Sequence, residues 1–402
     1  MPKNKYLLPF IMITSLFFLW GFAYGLLDVL NKHFQETLNI TRSRSTWLQA
    51  AYFGAYFLVA LPAGLFMNRF GYKKGIIMGL LLYAFGALMF YPAAENSSFN
   101  FFLLALFVLA SGLACLETAA NPYVTVLGAA ETATSRLNLS QCFNGVGSFL
   151  GPIIAAHIFF GRETTAGSGN LDSVKQIYVI IAVLVLIVAG IFMRLKLPEI
   201  QERHLVADEA LNEKRLFQHS NFTFGIAAQF FYVAAQVGIA ALFINYCTES
   251  DVGIDNASGA RFLSVGLILF TGGRFVGTSL MRLIQPQVLL AMYAIINVLL
   301  CVLVISKLGW ISIYGLLGLF FFMSIMFPTI FALSIKGLGR HTKEGSSFLI
   351  MSIVGGAVVP VLMGALADEY STALSYLIPL ICFLFVFFYA IRGYKINAYR
   401  YE

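Results

Sequence analysis

The sequence predicts an all-α membrane protein of twelve transmembrane helices arranged as two six-helix pseudo-repeats. Three observations predict it. Of the 402 residues, 59% are hydrophobic and only 11% are charged, against roughly 25% charged in a soluble domain. Mean hydropathy is +0.82, and the apolar surplus falls into stretches long enough to cross a hydrocarbon core about 30 Å thick. Matching marks recur about 208 residues apart, as Gly147 and Gly355 do. The formal charge of +7 does not point to nucleic acid, because no basic block of the kind that follows a phosphate backbone is present.

The first span, 7–30, follows Lys3 and Lys5 as the apolar part of a signal peptide would. It is too long for one and lacks a small-residue cleavage site, so it is a retained helix. Spans two and three, 47–68 and 75–92, flank a short basic loop. Span four, 99–121, ends ahead of the helix-breaking Pro122. Spans five and six cover 138–160 and 173–194. A polar linker, 195–220, then carries Arg194, Lys196, Glu199, Glu202, Asp208, Glu209, Glu213, Lys214 and Arg215 at or near its ends and within it. Beyond it come spans at 221–247, 258–280, 287–306, 309–335, 345–367 and 371–393. Backbone polar groups in lipid must be satisfied within their own segment, and continuous apolar runs without strict alternation exclude a barrel.

The domain reading is therefore a six-helix bundle over 1–194, a cytoplasmic linker over 195–220 and a second six-helix bundle over 221–402. Gly147 and Pro152 in span five match Gly355 and Pro360 in span eleven; Gly64 matches Gly272, and Pro122 falls near the counterpart of Pro328. Such internal duplication is expected of a carrier whose halves rock around a substrate site. Most Lys and Arg, among them Lys3, Lys5, Arg69, Lys73, Lys74, Arg194, Arg274, Lys336 and Arg392, are assigned to the side of the termini. Lys32, Arg42, Arg44, Arg162, Lys175, Arg261 and Lys307 remain on the other. Both termini are expected in the cytoplasm by the positive-inside rule, and the membrane expected is the cell inner membrane. Asn39, Asn96 and Asn256 sit in Asn-x-Ser/Thr sequons of the outer loops, which matter only in a eukaryote. The five cysteines fall inside spans with no metal-ligand spacing and are read as buried thiols.

Two acids lie deep in the spans, Asp28 and Glu117. An ionisable side chain there costs at least about 2.5–3.5 kcal/mol on insertion scales and is retained mainly for function. Tyr24, Asp28 and Asn31 share one helical face, and Glu117 has Asn121 one turn on. With no basic residue inside spans one to five to pair with it, Glu117 is expected to be an unpaired carboxyl. Such a group favours its neutral form in low dielectric and ionises when water enters, as a proton carrier must. The 208-residue offset places Gln236 opposite Asp28 and Met323 near the counterpart of Glu117. Ion chemistry is thereby assigned to the first half and neutral hydrogen bonding to the second.

Gln229, Tyr232 and Gln236 recur on one face of span seven, and Gln141, Asn144 and Ser148 on span five. Amides that donate and accept, with rings to cover an apolar sugar face, suit a neutral polyhydroxylated ligand. An anionic ligand would need an inward Arg or Lys, and none is read at mid-depth. The alternative for each amide is helix-to-helix hydrogen bonding; Asn245 and Asn297 extend no polar stripe and fit that alternative better.

The loop Gly64-Leu65-Phe66-Met67-Asn68-Arg69-Phe70-Gly71-Tyr72-Lys73-Lys74 resembles the signature loop of the major facilitator superfamily, in which a glycine lets helices approach and basic residues hold the cytoplasmic side; Asn68 stands where an aspartate is usual. FFLWGFAYGLLDVLNKHFQ from Phe17, GLACLETAANPYVTVLG from Gly112, RLNLSQCFNGVGS from Arg136 and QFFYVAAQVGIAALFINY from Gln229 together resemble the L-fucose–proton symporter family over essentially the whole chain. The resemblance implies the major facilitator fold with alternating access, proton carriage by Glu117, sugar binding and coupling by Asp28, and a sugar cavity lined by Gln141 and Asn144. Relatives in that wider family carry glucose, galactose or N-acetylglucosamine, some with sodium.

The function expected is import of a neutral monosaccharide, a hexose or a deoxyhexose such as L-fucose, by proton symport. A sodium-coupled glucose/galactose or N-acetylglucosamine carrier is the alternative, and a non-transporting sugar sensor a more distant one. An enzyme is not expected, because no nucleophile and base lie at a recognisable spacing. Partners expected are a sugar, a proton or sodium ion, and the lipid bilayer. No nucleic acid, cofactor or metal centre is expected, and the chain is read as a monomer.

Overall fold

The computed structural model describes residues 6–40, 47–160, 171–195, 197, 215–250 and 252–395. The side chains of Asp28, Asn31, Pro152 and a few others on the helices are outside the described set. The expected linker 195–220 lies mostly outside it too.

Helices α1 (Leu7–Thr37), α2 (Trp47–Phe70), α3 (Tyr72–Glu95), α4 (Phe99–Val126), α5 (Ala133–Phe160) and α6 (Asp172–Arg194) come first. They are followed by α7 (Ser220–Ala241), α8 (Asn256–Leu280), α9 (Pro286–Ile305), α10 (Trp310–Ile335), α11 (Thr342–Glu369) and α12 (Thr372–Gly393). No strand occurs among the described residues. Eleven stretches there are long and apolar enough to cross a membrane; the expected fifth span lies on α5, part of which is outside the described side chains. Pro122 does not end its helix as the sequence suggests: α4 continues to Val126 with the proline inside it. Neighbouring helices tolerate such a proline in a membrane protein by satisfying the carbonyl it leaves free.

Contacts gather the chain into two compact units. One comprises Met1–Leu127, Phe143–Gln201 and Ser346–Met351; the other comprises Gly128–Cys142, Glu202–Gly345 and Ser352–Glu402.

In the first unit, α4 packs against α2 and α3, and α3 packs against α6. Small residues allow this closeness. A Cβ at Gly112 would lie 2.3 Å from the Tyr83 amide nitrogen, and one at Gly86 the same distance from that of Leu109. Phe90 on α3 stacks flat on Tyr178 of α6, with ring centroids 3.7 Å apart. On the same two helices Lys175 bonds Glu95 and lies 2.7 Å from Asp172. At the far end of α6, Lys73 donates to the Met193 carbonyl at 2.9 Å, serving one of the carbonyls a helix C-terminus leaves unbonded. Gly71, in the loop before Lys73, has φ of +84° and nothing within 4 Å of an added Cβ. Its role is the positive-φ turn between the two helices.

In the second unit, α7 packs against α10, α11 and α12, while α10 also contacts α8 and α9. Asn221 at the start of α7 donates its amide nitrogen to the carbonyls of Leu333, Ser334 and Lys336 at 3.2, 3.1 and 2.9 Å. It thereby serves the carbonyls at the end of α10. Glu249 accepts from the Thr372 amide at 3.2 Å and its hydroxyl at 2.6 Å, holding the N-terminus of α12. All five cysteines are free and buried, as expected of thiols used for packing.

The glycine matches have a structural basis. A Cβ on Gly147 would lie 2.3 Å from the Phe18 carbonyl and 2.8 Å from the Phe22 amide; one on Gly355 would lie 2.5 Å from the Phe230 carbonyl. Phe22 and Phe230 stand the same 208 residues apart as the two glycines. Equivalent positions in the two halves thus meet equivalent neighbours, which a duplicated bundle requires.

Candidate functional site

Glu117 sits on α4, 7% exposed, in a stretch where every residue from Leu109 to Thr125 is buried. It is not the unpaired carboxyl expected. Tyr56 on α2 shares a side-chain hydrogen bond with it, and Tyr52, one turn earlier, lies with its hydroxyl 3.2 Å from that of Tyr56. A carboxylate only accepts, so with Glu117 ionised the Tyr56 hydroxyl is the donor. The helix period of 3.6 residues places Tyr52 and Tyr56 on one face, and α2 packs that face on α4. The Tyr56 hydroxyl, with Tyr52 behind it, gives the acid a neutral hydrogen-bond partner on α2.

Tyr24 on α1 is 41% exposed, and its ring lies 5.8 Å from that of Tyr52. The tyrosine of the expected Tyr24–Asp28–Asn31 face therefore reaches the Glu117 group through Tyr52. Asp28 and Asn31 follow it on α1, and their side chains are outside the described residues. Asn121 is fully buried one turn beyond Glu117. Tyr83 faces the same aromatic group, and its hydroxyl donates to the Leu19 carbonyl at 3.3 Å. Asn144 is half-buried and donates to the Phe17 carbonyl at 3.3 Å, where a Cβ on Gly21 would collide with the Asn144 carbonyl. That bond is helix-to-helix hydrogen bonding of the kind weighed against a sugar contact.

The remaining site residues belong to the second unit. Gln229 is completely buried on α7, and neither its amide nitrogen nor its oxygen has a hydrogen-bond partner among the described residues. Tyr232, one turn on, donates to the Met323 carbonyl at 3.1 Å, so the span-seven tyrosine hydroxyl is engaged within the bundle. Gln236 is half-buried. Gln141 is buried, and its main-chain carbonyl accepts from Arg274 at 2.6 Å.

Arg274 corrects the sequence reading. It was counted with the basic residues on the side of the termini although the expected span 258–280 contains it, and it lies inside α8, 5% exposed. Its Nε also donates to the Ser324 carbonyl at 3.1 Å. Pro328, four residues on, has no N–H for that carbonyl. The guanidinium, which packs 4.6 Å from the Phe270 ring centre, satisfies the break in α10. Counting basic residues for topology does not show an inward role; the proline four residues beyond Ser324 is the signal that a donor is needed. Tyr52 and Tyr56 were missed because aromatic residues in a span read as ordinary packing. Two hydroxyls one turn apart on a helix were the available signal.

Buried ionisable chemistry and stranded amides on a helical, lipid-crossing scaffold define a polytopic membrane carrier. The sequence profile of the Major Facilitator Superfamily matches residues 13–353, and the chain belongs to that superfamily. It is 39% identical over 388 residues to the glucose/galactose transporter of Brucella abortus, covering 95% of this chain and 93% of that protein. It is 37% identical over 409 residues to the L-fucose-proton symporter of Escherichia coli, covering 96% and 93%. Among solved structures, the E. coli fucose:proton symporter FucP in its outward conformation matches with a TM-score of 0.86 at 36% identity, over 96% of this chain and 98% of that one. The proton:xylose symporter XylE shares the fold alone, with a TM-score of 0.76 at 12% identity.

Proposed function

We propose that this protein imports a neutral monosaccharide, a hexose or deoxyhexose, by proton symport with alternating access. The observation that carries the reading is Glu117, a buried carboxyl hydrogen-bonded to the Tyr56 hydroxyl, in a chain similar over nearly its full length to sugar carriers. In this mechanism Glu117 binds the proton, and Asp28 binds sugar and couples it to the proton. Tyr24, Asn31, Asn121, Gln141, Asn144, Gln229, Tyr232 and Gln236 provide the polar environment of the sugar. Gln229 supports the assignment most strongly, because an amide with no partner among the described residues is available to sugar hydroxyls when the bundle opens.

The two six-helix halves, 1–194 and 221–402, would move about the linker as repeats do in such carriers. In this reading the protein sits in the inner membrane with both termini cytoplasmic and works as a monomer, a topology supported by the distribution of Lys and Arg. The test is uptake of labelled L-fucose, D-glucose, D-galactose and N-acetylglucosamine into proteoliposomes, with and without an inward proton gradient. Accumulation above equilibrium that follows the proton gradient is expected, unchanged when choline replaces sodium. Accumulation that requires sodium at fixed pH would identify the sodium-coupled alternative, and binding without uptake a sensor.

A further inference from the structure

We propose that Arg274 is a positioning residue of the sugar site, holding Gln141 through its main chain so that the Gln141 amide is presented to the ligand in one direction. The inference rests on the reading of Gln141 as a sugar ligand and assigns what fixes that ligand in place. A cation inside a membrane span is costly and is retained mainly for function, and Arg274 is 5% exposed within α8. Closing the break in α10 does not by itself require a charge. The helix is interrupted at Ser324 and Ile325, and the Met323 carbonyl beside the break accepts from the neutral hydroxyl of Tyr232 at 3.1 Å. The next carbonyl, that of Ser324, takes a guanidinium instead. What the guanidinium adds is reach to a second helix: its Nη1 donates to the Gln141 carbonyl on α5 at 2.6 Å. Such charge-assisted bonds are shorter and stronger than neutral ones.

That bond lies within a run of contacts along α5, whose residues 128–142 fall in the same compact unit as α8 and α10. One turn before Gln141, Asn138 donates its amide nitrogen to the Thr329 hydroxyl of α10 at 3.2 Å. One residue after it, the Cys142 sulfur lies 3.8 Å from the Thr278 hydroxyl of α8. Thr278, one turn beyond Arg274, donates to the Arg274 carbonyl at 2.6 Å. The rotation of α5 about its own axis is therefore fixed over residues 138–142, and with it the direction in which each Cα–Cβ bond leaves the helix. Arg274 joins Gln141 itself to both α8 and α10. A binding side chain already held in its bound direction binds more tightly, because less freedom is lost when the ligand arrives.

The test is calorimetric titration of the purified protein in detergent with L-fucose, D-glucose, D-galactose and N-acetylglucosamine. The parent, Arg274→Lys, Gln141→Ala and the double variant are compared. Arg274→Lys keeps a cation and loses the fork that serves two carbonyls. For the sugar that binds the parent most tightly, Kd should rise about three- to tenfold in Gln141→Ala, the factor that one hydrogen bond contributes. It should rise by a similar factor in Arg274→Lys. The double variant should match Gln141→Ala, because Arg274 acts on sugar through Gln141. Destabilisation alone would lower the number of binding sites per chain and leave the Kd of the folded fraction unchanged. A parental Kd in Arg274→Lys, with Gln141→Ala weakened, overturns the positioning role and leaves the sugar site standing. So does a double variant whose Kd is raised by the product of the two single effects, which would make the residues independent. Arg274→Gln serves if Arg274→Lys does not fold, with the same outcomes. A parental Kd in Gln141→Ala, or a parent that binds none of the four sugars, overturns the reading of Gln141 and the proposal with it.

Discussion

Replacing Gln229 by methionine removes an amide while keeping a side chain of nearly the same length. The residue is fully buried and both of its polar atoms lack a partner among the described residues. Leaving one buried donor or acceptor unsatisfied costs about 1–3 kcal/mol, so the pair costs about 2–6 kcal/mol against a water reference. The unfolded helix in a bilayer also finds partners, and side-chain hydrogen bonds measured there average about 0.6 kcal/mol. The expected gain in Gln229→Met therefore falls to about 1–2 kcal/mol, a rise of about 1–2 °C in Tm for a chain of this length. If the amide is kept for sugar, the same variant loses the extra stabilisation that added hexose gives the parent. The assay is thermal unfolding of the purified protein in detergent, with and without sugar. A lower Tm would show that the amide is paired and holds helices together. A higher Tm with an intact sugar response would remove Gln229 from the binding site.

Glycine substitutions separate packing from tolerance. Gly147→Val and Gly355→Val should each abolish folded, transport-competent protein, because the added Cβ meets a carbonyl at 2.3 or 2.5 Å. Gly272→Ala, with nothing within 4 Å, should change stability by less than about 1 kcal/mol; size-exclusion profiles and Tm read both outcomes. Arg274→Ala leaves the Ser324 carbonyl beside Pro328 without its donor and should lower stability by about 2–4 kcal/mol. Arg274→Lys should recover only part of that, since an ammonium cannot reproduce the fork that serves two carbonyls. Equal stability of the alanine variant and the parent would contradict the role given to this side chain.

The helices were legible because lipid imposes length and apolarity on every crossing, and α2, α3, α6 and α9 fall within a few residues of their expected ranges. The duplication was legible through Gly147 and Gly355, since close helix approach tolerates no side chain. Glu117 was legible as an acid where acids are costly. Its partners were not, because a pattern of residue types does not say which face of α2 meets α4. Pro122 misled for a related reason: a proline ends a helix in water, whereas a membrane helix passes through it. The inward turn of Arg274 was not legible, because a place within an expected span does not report whether a long side chain meets a freed carbonyl. Asp28 lies on α1 within the expected first span, and α1 runs past the expected end at 30 to include Asn31.

The most direct measurement follows protons and sugar together. Purified protein in proteoliposomes containing a pH-sensitive dye is mixed with the transported hexose, and proton movement is compared between the parent and Glu117→Gln. Sugar addition should drive protons inward in the parent; in Glu117→Gln that proton movement should vanish while labelled sugar still exchanges across the membrane. Proton movement of parental size in Glu117→Gln would contradict the assignment of the coupled proton to this side chain.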